Sequence, residues 1–201
     1  MILNESLTSL SGRVRLAPPS ESDDAFFATV RCHPETRRYL PFFPAHCTPD
    51  DARARRLSRE PNKAIVDFSI YALTPGSPPK YAGNTTLFNI DETFKTGETG
   101  ACISPELFGQ GIATDALHTV LTYAFEERKL HRVVFQTAAY NVRMRSWLER
   151  FGATLEGTLR EGWADGEGGY MDGCLYSILE HEWRQNVKAK LEGRMDLGVR
   201  A

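Results

Sequence analysis

The stretch that decides the fold is Ile103-Ser-Pro-Glu-Leu-Phe-Gly-Gln-Gly-Ile-Ala-Thr114, which leads from a predicted strand through a glycine-containing loop into a helix. Gly109 and Gly111 allow backbone N–H groups to approach an anion closely. The first turn of the helix adds N–H donors without intrahelical partners and the positive end of a dipole. The segment therefore predicts either an anion cradle for phosphate or a turn that the two glycines merely loosen.

Two common phosphate-binding patterns do not fit this loop. A P-loop requires Gly-Lys followed by Ser or Thr, whereas Gly111 is followed by Ile112 and Ala113. A dinucleotide-binding fingerprint requires a third glycine where Thr114 stands, and its strand opens a βαβ unit. Here the preceding strand is the last of a predicted antiparallel meander and opens no βαβ unit. The P-loop and the dinucleotide-binding fingerprint are therefore both excluded.

The elements around the loop predict one α+β domain with a mixed sheet. Three strands at 64–73, 81–90 and 98–104 have short links and form the meander, with Val66, Phe68 and Ile70 on one face. After the loop, an amphipathic helix at 114–129 is expected. The other expected elements are a strand at 14–16, helices ending near 32 and 60, a strand at 132–138, a helix at 142–150, strands at 154–163 and 170–182, and a polar helix and tail at 184–201. Residues 33–44 are expected to form an aromatic-rich turn or loop.

Composition narrows the class of protein. With 201 residues, 41% of them hydrophobic and 25% charged, the chain is typical of a globular protein. A formal charge of −2 argues against a nucleic-acid partner. No apolar run approaches membrane-spanning length, and the first 30 residues lack the pattern of a secretory signal, so a cytoplasmic protein without a membrane partner is expected. The four cysteines and five histidines show no metal-ligand spacing, which predicts no metal and no disulfide framework.

The glycine loop resembles the pyrophosphate-binding segment of the GNAT superfamily of N-acetyltransferases, whose pattern is Arg/Gln-x-x-Gly-x-Gly/Ala. The frame here is Phe108-Gly109-Gln110-Gly111-Ile112-Ala113, and its aromatic first residue is characteristic of the branch similar to the ribosomal-protein acetyltransferases RimJ and RimL. The resemblance covers most of residues 12–183. It also includes Glu98-Thr99-Gly100, Asn141, Phe151-Gly152-Ala153, Glu156–Arg160, Asp172 and Leu179–Trp183.

This resemblance implies a fold and a co-substrate. It implies a single N-acetyltransferase domain of GNAT-like α/β/α fold over residues 1–201, with its core at about 12–183. Its mixed, largely antiparallel sheet would be splayed between the fourth and fifth strands. Acetyl-CoA would bind with its pyrophosphate on the glycine loop and its pantetheine arm on the exposed backbone of the fourth strand. The implied cofactor-binding residues are Cys102, Ile103, Ser104, Phe108, Gly109, Gln110, Gly111, Ile112, Ala113, Thr114 and Asn141. Asn141 is also well suited to cap the helix that follows it.

The implied reaction is direct attack of a primary amine on the acetyl group in a ternary complex, which requires the amine to be neutral. At neutral pH this costs a lysine side chain about 4.6 kcal/mol but an α-amine only roughly 1 kcal/mol. A dedicated base therefore matters more for the first acceptor than for the second. The candidate bases are Glu98 and Glu161, with Asp172 as a third, and each is alternatively a surface or ion-paired carboxylate.

No general acid is visible. Where the family places a Ser or a Tyr after its Asn to protonate the CoA sulfur, this chain has Met144 and Leu148. Ser146 is expected to face away, at roughly 140° from Asn141 around the helix. Water is a sufficient acid for a thiol whose pKa is near 8.5. A catalytically degenerate CoA-binding or regulatory protein therefore stays open as the alternative, and an adaptor that uses the arginine-rich segment 53–59 is a third class.

The acceptor side is the least determined part. The aromatic loop Tyr39–Pro44 and the hairpin Gly166–Tyr170 lie where the family shapes its acceptor pocket. Tyr39, Phe42, Phe43 and Tyr170 are therefore expected either to contact an apolar or partly apolar amine or to pack in the core. Arg53, Arg55, Arg56 and Arg59 are expected to form a solvated helix face. The resemblance admits a protein or peptide N-terminus, a small-molecule amine, and a homodimer.

Overall fold

The computed structural model describes residues 5–195. Its helices are α1 (Asp24–Cys32), α2 (Pro34–Arg37), α3 (Pro49–Arg59), α4 (Ile112–Thr122), α5 (Val142–Phe151), α6 (Glu180–Glu182) and α7 (Lys188–Glu192). Its strands are β1 (Leu7–Thr8), β2 (Val14–Ala17), β3 (Val66–Ala72), β4 (Lys80–Asp91), β5 (Thr96–Ile103), β6 (Arg132–Ala138), β7 (Thr154–Ala164) and β8 (Tyr170–Leu179). Short 3-10 turns occupy Glu21–Asp23 and Pro105–Leu107, and π-helical segments occupy Tyr123–Glu127 and Trp183–Val187. Within residues 5–195, no helix is long and apolar enough to cross a membrane.

The strands form one mixed sheet in the order β1-β2-β3-β4-β5-β6-β8-β7. The predicted meander corresponds to β3, β4 and β5, which pair antiparallel in sequence. Strands β5 and β6 pair parallel, which makes the sheet mixed. Because the two-residue β1 adds one strand to the count, the expected fourth and fifth strands are β5 and β6 here. The predicted fold class is confirmed.

The splay lies between β5 and β6. These strands pair only at Thr96–Glu98 with Arg132–Val134, and beyond Glu98 they continue unpaired with each other to Ile103 and Ala138. On its other side, β6 stays paired with β8 along its whole length. The far half of β5 therefore presents an open backbone edge, with Glu98 at the closed end of the opening.

The two faces of the sheet are covered by different helices. Val66, Phe68 and Ile70 are buried on one face, where Phe68 packs edge-on against Tyr123 at the end of α4, with ring centroids 6.0 Å apart. Because side chains alternate along a strand, Asp67 and Ser69 point to the opposite face, where they meet α3 and the start of α1. The sheet therefore lies between two helical layers.

Two local expectations were wrong. The last strand ends at Leu179 instead of Glu182, because the Glu182 carboxylate accepts a hydrogen bond from the Leu179 N–H at 2.9 Å and starts a helix. The stretch predicted as turn or loop contains α2, which His33 caps by accepting from the Glu35 N–H at 3.1 Å. In both cases a local cap turns a short segment into helix.

The polar C-terminal segment is anchored by apolar residues. Residues 184–192 are helical, and Val187 and Leu191 are fully buried against the core. The expectation of a fraying tail falls partly on residues 196–201, which lie outside the described residues.

Candidate active site

The glycine loop adopts backbone angles that favour glycine. Gly109 and Gly111 have φ angles of 77° and 80°, in the left-handed region that other residues seldom adopt. Gly111 is the N-cap of α4, and Gly109, Gln110 and Gly111 are all exposed. The first N–H groups of α4 therefore open towards an accessible loop, which is the geometry of an anion site.

A cation lies beside this loop that sequence analysis did not identify. One Arg13 nitrogen donates to the Gln110 carbonyl at 3.4 Å, and the other pairs with Asp115 at 3.1 Å. Asp115 is fully buried and also accepts from the Ser11 hydroxyl at 2.6 Å. Because Arg13 and Asp115 are 102 residues apart in the chain, no local pattern indicates their contact.

A second cation flanks the loop from α5. The Arg143 guanidinium lies 5.9 Å from the centre of the Phe108 ring, and Arg143 is exposed. Phe108 stands where the family pattern has Arg or Gln, so in this chain Arg143 brings a positive charge to that position. Trp147, one turn further along α5, donates to the Thr114 hydroxyl at 3.1 Å and ties α5 to the start of α4.

Two of the residues expected to contact the pantetheine arm already have partners. The Ser104 N–H donates to the Ala82 carbonyl at 2.8 Å, so Ser104 can offer only its carbonyl and hydroxyl groups. The Asn141 side chain accepts from the Met144 N–H and donates to the Thr137 hydroxyl, each at 3.1 Å. Asn141 therefore caps α5, as its position before Val142 allows.

Glu98 lies at the closed end of the splay and shares its face of the sheet with Cys102. Its carboxylate accepts from Asn89 at 3.1 Å and from Gln136 on β6 at 3.3 Å. Burial raises the pKa of Glu98, and the two amide donors partly oppose that rise. A half-buried carboxylate with a raised pKa is better matched to proton transfer near neutral pH than an ordinary surface acid.

Glu161 lies at an irregular point of the edge strand. It is exposed and has a φ angle of 51°, at a place where the β7–β8 register shifts between Leu159 and Trp163. Its N–H donates to the Asp172 carboxylate at 2.8 Å, which holds this conformation in place. A left-handed conformation at a non-glycine residue costs on the order of 1 kcal/mol and tends to occur at functional sites.

The structure brings Glu161 and Asp172 together but keeps Glu98 apart from them. The Asp172 carbonyl accepts from the Ala139 N–H, beyond the end of β6, whereas Glu98 pairs with Val134. Val134 and Ala139 are five residues apart, so about 17 Å of strand separates the two carboxylate positions along β6. The positions that the family uses for an acid are apolar, and Leu148 is fully buried while Met144 packs against the core.

The aromatic loop packs on the β7–β8 hairpin. The Phe42 ring lies edge-on to Trp163 with centroids 5.2 Å apart, and Gly166 approaches Pro41 so closely that an added Cβ would lie 2.4 Å from its carbonyl oxygen. Phe42 is 48% exposed and Tyr170 is 70% exposed, so neither is a core residue. Tyr39 and Phe43 are half-buried. Tyr140, which sequence analysis did not single out, joins the end of β6 to α2 by donating to the Arg38 carbonyl at 2.6 Å.

The expectation that the arginines of α3 form a solvated face was wrong. Arg55, Arg56 and Arg59 are half-buried, and only Arg53 is exposed. Arg56 forms a two-point pair with Asp24 at 2.9 and 2.8 Å, and Arg59 pairs with Asp67 at 2.7 and 2.9 Å. The apolar Leu57 is instead 48% exposed, so the arginine side of α3 faces the protein.

Comparison with known proteins gives the family. The model of the acetyltransferase (GNAT) domain matches residues 13–154, which is most of the chain. This chain belongs to the GNAT acetyltransferase family. Within residues 5–195 of this GNAT protein, no group of three or more His, Cys, Asp or Glu side chains is placed to hold a metal ion.

Individual relatives agree with the RimJ/RimL-like branch. YdaF of Bacillus subtilis (strain 168), provisionally named a ribosomal N-acetyltransferase, is 39% identical over 101 residues, which are 50% of this chain and 55% of YdaF. FsC-acetyl coenzyme A-N(2)-transacetylase of Aspergillus fumigatus is 29% identical over 57% of this chain and 48% of its own. The chain thus spans about half the length of the curated relatives it matches.

Solved structures show the same fold over nearly the whole chain. An acetyltransferase of T. thermophilus, also provisionally named, is 27% identical to this chain and superimposes with a TM-score of 0.79. The match covers 96% of this chain and 98% of the T. thermophilus chain. Mycobacterium smegmatis RimJ, in complex with CoA-disulfide, has a TM-score of 0.76 at 21% identity and covers 94% of this chain and 92% of its own. The predicted GNAT membership is therefore confirmed.

Proposed function

We propose that this GNAT protein transfers an acetyl group from acetyl-CoA to a primary amine, by direct attack of the amine in a ternary complex. The observation that carries the proposal is the splay of β5 from β6, which leads from the exposed glycine loop to Glu98. Relatives whose names describe them as N-acetyltransferases support the same class of reaction.

The residues present fit acetyl-CoA. The left-handed Gly109 and Gly111, the open first turn of α4 and the nearby Arg13 and Arg143 suit a pyrophosphate group. The open edge of β5 at Cys102 and Ile103 offers backbone groups to an extended amide-containing arm, as an added strand would use them. When bound, acetyl-CoA supplies an activated acyl group to the amine.

Glu98 is the proposed base. Its position on the β5 face opposite α4 places it on the side of the sheet where α1, α3 and the aromatic loop lie. From there its carboxylate accepts the proton that the amine loses, directly or through one water. Glu161 and Asp172 lie close to the aromatic loop and the hairpin, so we assign them to the acceptor entrance, with Glu161 as the alternative base.

The acceptor would approach over the surface that the aromatic loop and the β7–β8 hairpin form where they pack together. Phe42 contacts Trp163 of the hairpin, and we assign it, with Tyr39, Phe43 and Tyr170, to contacts with an acceptor chain that is apolar near its amine. A peptide N-terminus and a small-molecule amine both meet these requirements. Since an α-amine is the easier acceptor to deprotonate, it places the smaller demand on Glu98.

A non-catalytic CoA-binding protein is the second candidate, favoured by the apolar Met144 and Leu148. Calorimetric titration with acetyl-CoA tests the shared part of both candidates, and absence of binding at millimolar ligand would overturn both. Release of free thiol with a panel of amines and peptides then separates them. We expect the natural protein to release thiol with at least one acceptor, and Glu98→Gln to reduce the rate at least tenfold. Glu127→Gln, a change at an exposed glutamate, is the control and should leave the rate unchanged. Tight binding without release from any acceptor would favour the second candidate.

A further inference from the structure

A narrow cleft lies between α1, α3 and the sheet. It is lined by Phe27 of α1, by Arg55, Arg56 and Arg59 of α3, and by Asn84 and Thr85 of β4. Asn84 pairs with Cys102, and Cys102 shares its face of β5 with Glu98 because the two are an even number of residues apart. The cleft therefore opens on the face that carries the proposed base.

The acidic residues of this cleft already have partners. Asp24 and Asp67 pair with Arg56 and Arg59. Asp23 accepts hydrogen bonds from the hydroxyls of Ser69, at 2.9 Å, and Tyr71. Each of the three carboxylates already has a hydrogen-bonded partner, and Asp67 acts on Arg55 only through its charge, without a hydrogen bond or an ion pair.

Two half-buried arginines beside the cleft have no such partner. Within residues 5–195, neither Arg31 nor Arg55 forms an ion pair with a carboxylate or donates a side-chain hydrogen bond, and the Nε of Arg55 is buried without a partner. Their guanidinium groups lie 5.8 and 5.7 Å from the ring of Phe27, and Arg31 also stacks on Phe43 at 4.0 Å. Aromatic rings hold both cations in place without neutralising them.

The surroundings make these charges costly in the absence of a ligand. Burial and the neighbouring Arg59 and Arg31 lower the pKa of Arg55 to about 10. Burial likewise lowers the pKa of Arg31. Buried donors in native proteins are normally satisfied, and an unpaired cation next to other cations is the arrangement that an incoming anion relieves.

We propose that Arg31 and Arg55 bind a carboxylate of the acceptor, so that the substrate class is an amine that also carries an anionic group. This inference rests on the proposed function. Cys102, next to the cleft, and Glu98 are four residues apart on β5, so the amine and the carboxylate are separated by about 13 Å. In an extended peptide, that separation places an acidic side chain at the fourth or fifth residue, at roughly 3.5 Å per residue. Polycationic amines are disfavoured by the same two charges.

The test compares amidated pentapeptides that differ only in carrying Glu or Gln at position four or five, with spermidine as a polycationic acceptor. For each, kcat/KM is measured by thiol release, and equilibrium binding is measured separately with CoA present. We expect the Glu peptide to exceed the Gln peptide at least tenfold in both kcat/KM and binding affinity. The Glu peptide should also have a higher kcat/KM than spermidine. Arg55→Gln and Arg31→Gln should bring the Glu/Gln ratio close to one and leave acetyl-CoA affinity unchanged. Arg53→Gln, an exposed arginine of the same helix, should keep the full preference.

The two measurements separate failure of this inference from failure of the proposed function. Three results would overturn the anionic subsite. They are transfer to both peptides at equal kcat/KM, faster transfer to spermidine than to the acidic peptide, and binding of neither peptide. Preferential binding of the acidic peptide that Arg55→Gln abolishes, without any transfer, would support the subsite and overturn the enzymatic function. Thermal unfolding of each variant identifies any that fails to fold, and Arg31→Gln then serves in place of Arg55→Gln.

Discussion

The Arg13 guanidinium meets the Asp115 carboxylate at 3.1 Å, across the gap between the β1–β2 turn and the first turn of α4. The contact fixes Arg13 so close to the glycine loop that a Cβ added at Gly111 would lie 3.0 Å from its Nη2 atom. Asp115 is fully buried, and Arg13 and the Ser11 hydroxyl are the side-chain partners of its carboxylate. The pair thus connects the stability of the sheet edge to the shape of the proposed pyrophosphate site.

Removal of Arg13 should therefore destabilise the fold. We expect Arg13→Met to lower the free energy of unfolding by about 3 kcal/mol, because it leaves a buried carboxylate without its cation. The double variant Arg13→Met/Asp115→Asn should lose much less than the sum of the two single losses. Urea unfolding monitored by circular dichroism measures all four proteins. Additive losses would show that the pair does not act as a unit.

The glycine loop can be tested by a pair of matched glycines. Gly109 and Gly76 have φ angles of 77° and 76°, and a Cβ added at either would meet no atom within 4 Å. Changing either to Ala should therefore cost a similar roughly 1 kcal/mol of stability. Only Gly109→Ala should weaken acetyl-CoA binding, by about tenfold, because its strain reshapes the donor loop. Calorimetric titration measures the affinity of both variants for acetyl-CoA. An equal loss of affinity in Gly76→Ala would count against the glycine loop as the binding site.

Arg143 should contribute to cofactor affinity through charge alone. It is exposed beside Phe108, so Arg143→Gln should leave stability within about 0.5 kcal/mol and weaken acetyl-CoA binding several-fold at low salt. The loss should shrink as ionic strength rises and screens the interaction. Arg150→Gln, another exposed arginine of α5, is the control and should have no effect. A loss that is independent of salt would contradict the electrostatic explanation.

The raised pKa of Glu98 has two consequences for pH dependence. As the base, Glu98 must be ionised, so kcat/KM should rise through its raised pKa, and Glu98→Gln should remove that limb of the profile. The effect on stability has the opposite sign, because the folded state binds the Glu98 proton more tightly than the unfolded state does. The contribution of Glu98 to the free energy of unfolding therefore falls as pH rises from about 4.3, the pKa in the unfolded chain, through the folded pKa. The stability of Glu98→Gln relative to the natural protein should therefore increase over that window. A pH series of unfolding curves checks it.

Local chemistry made much of this fold predictable. Thr48 and Asp51 form the capping box that starts α3, and the alternation of Val66, Phe68 and Ile70 marks the face that packs under α4. The glycine loop was recognisable because its function depends on a few adjacent residues. The splay was predicted from family resemblance, since nothing local in β5 or β6 indicates where their pairing stops.

Long-range placement accounts for what the sequence did not reveal. In α3 the only large apolar side chain, Leu57, faces solvent, and hydrophobic periodicity therefore points to the wrong face of the helix. The inward arginines become interpretable only once Asp24 and Asp67, which lie on other elements, are placed beside them. Tyr140 and Arg38 make contact across 102 residues and likewise have no local signal.

Three residue pairs at Thr96–Glu98 and Arg132–Val134 join β5 to β6, and through them the sheet is continuous from β1 to β7. Mechanically the sheet is thus two panels, β1–β5 and β6-β8-β7, meeting at a short seam. A ligand arm laid along the open edge of β5 and reaching Asn141 at the far end of β6 would bridge the panels opposite that seam. Amide hydrogen exchange in both panels should then slow when acetyl-CoA is bound, well beyond the residues that contact it.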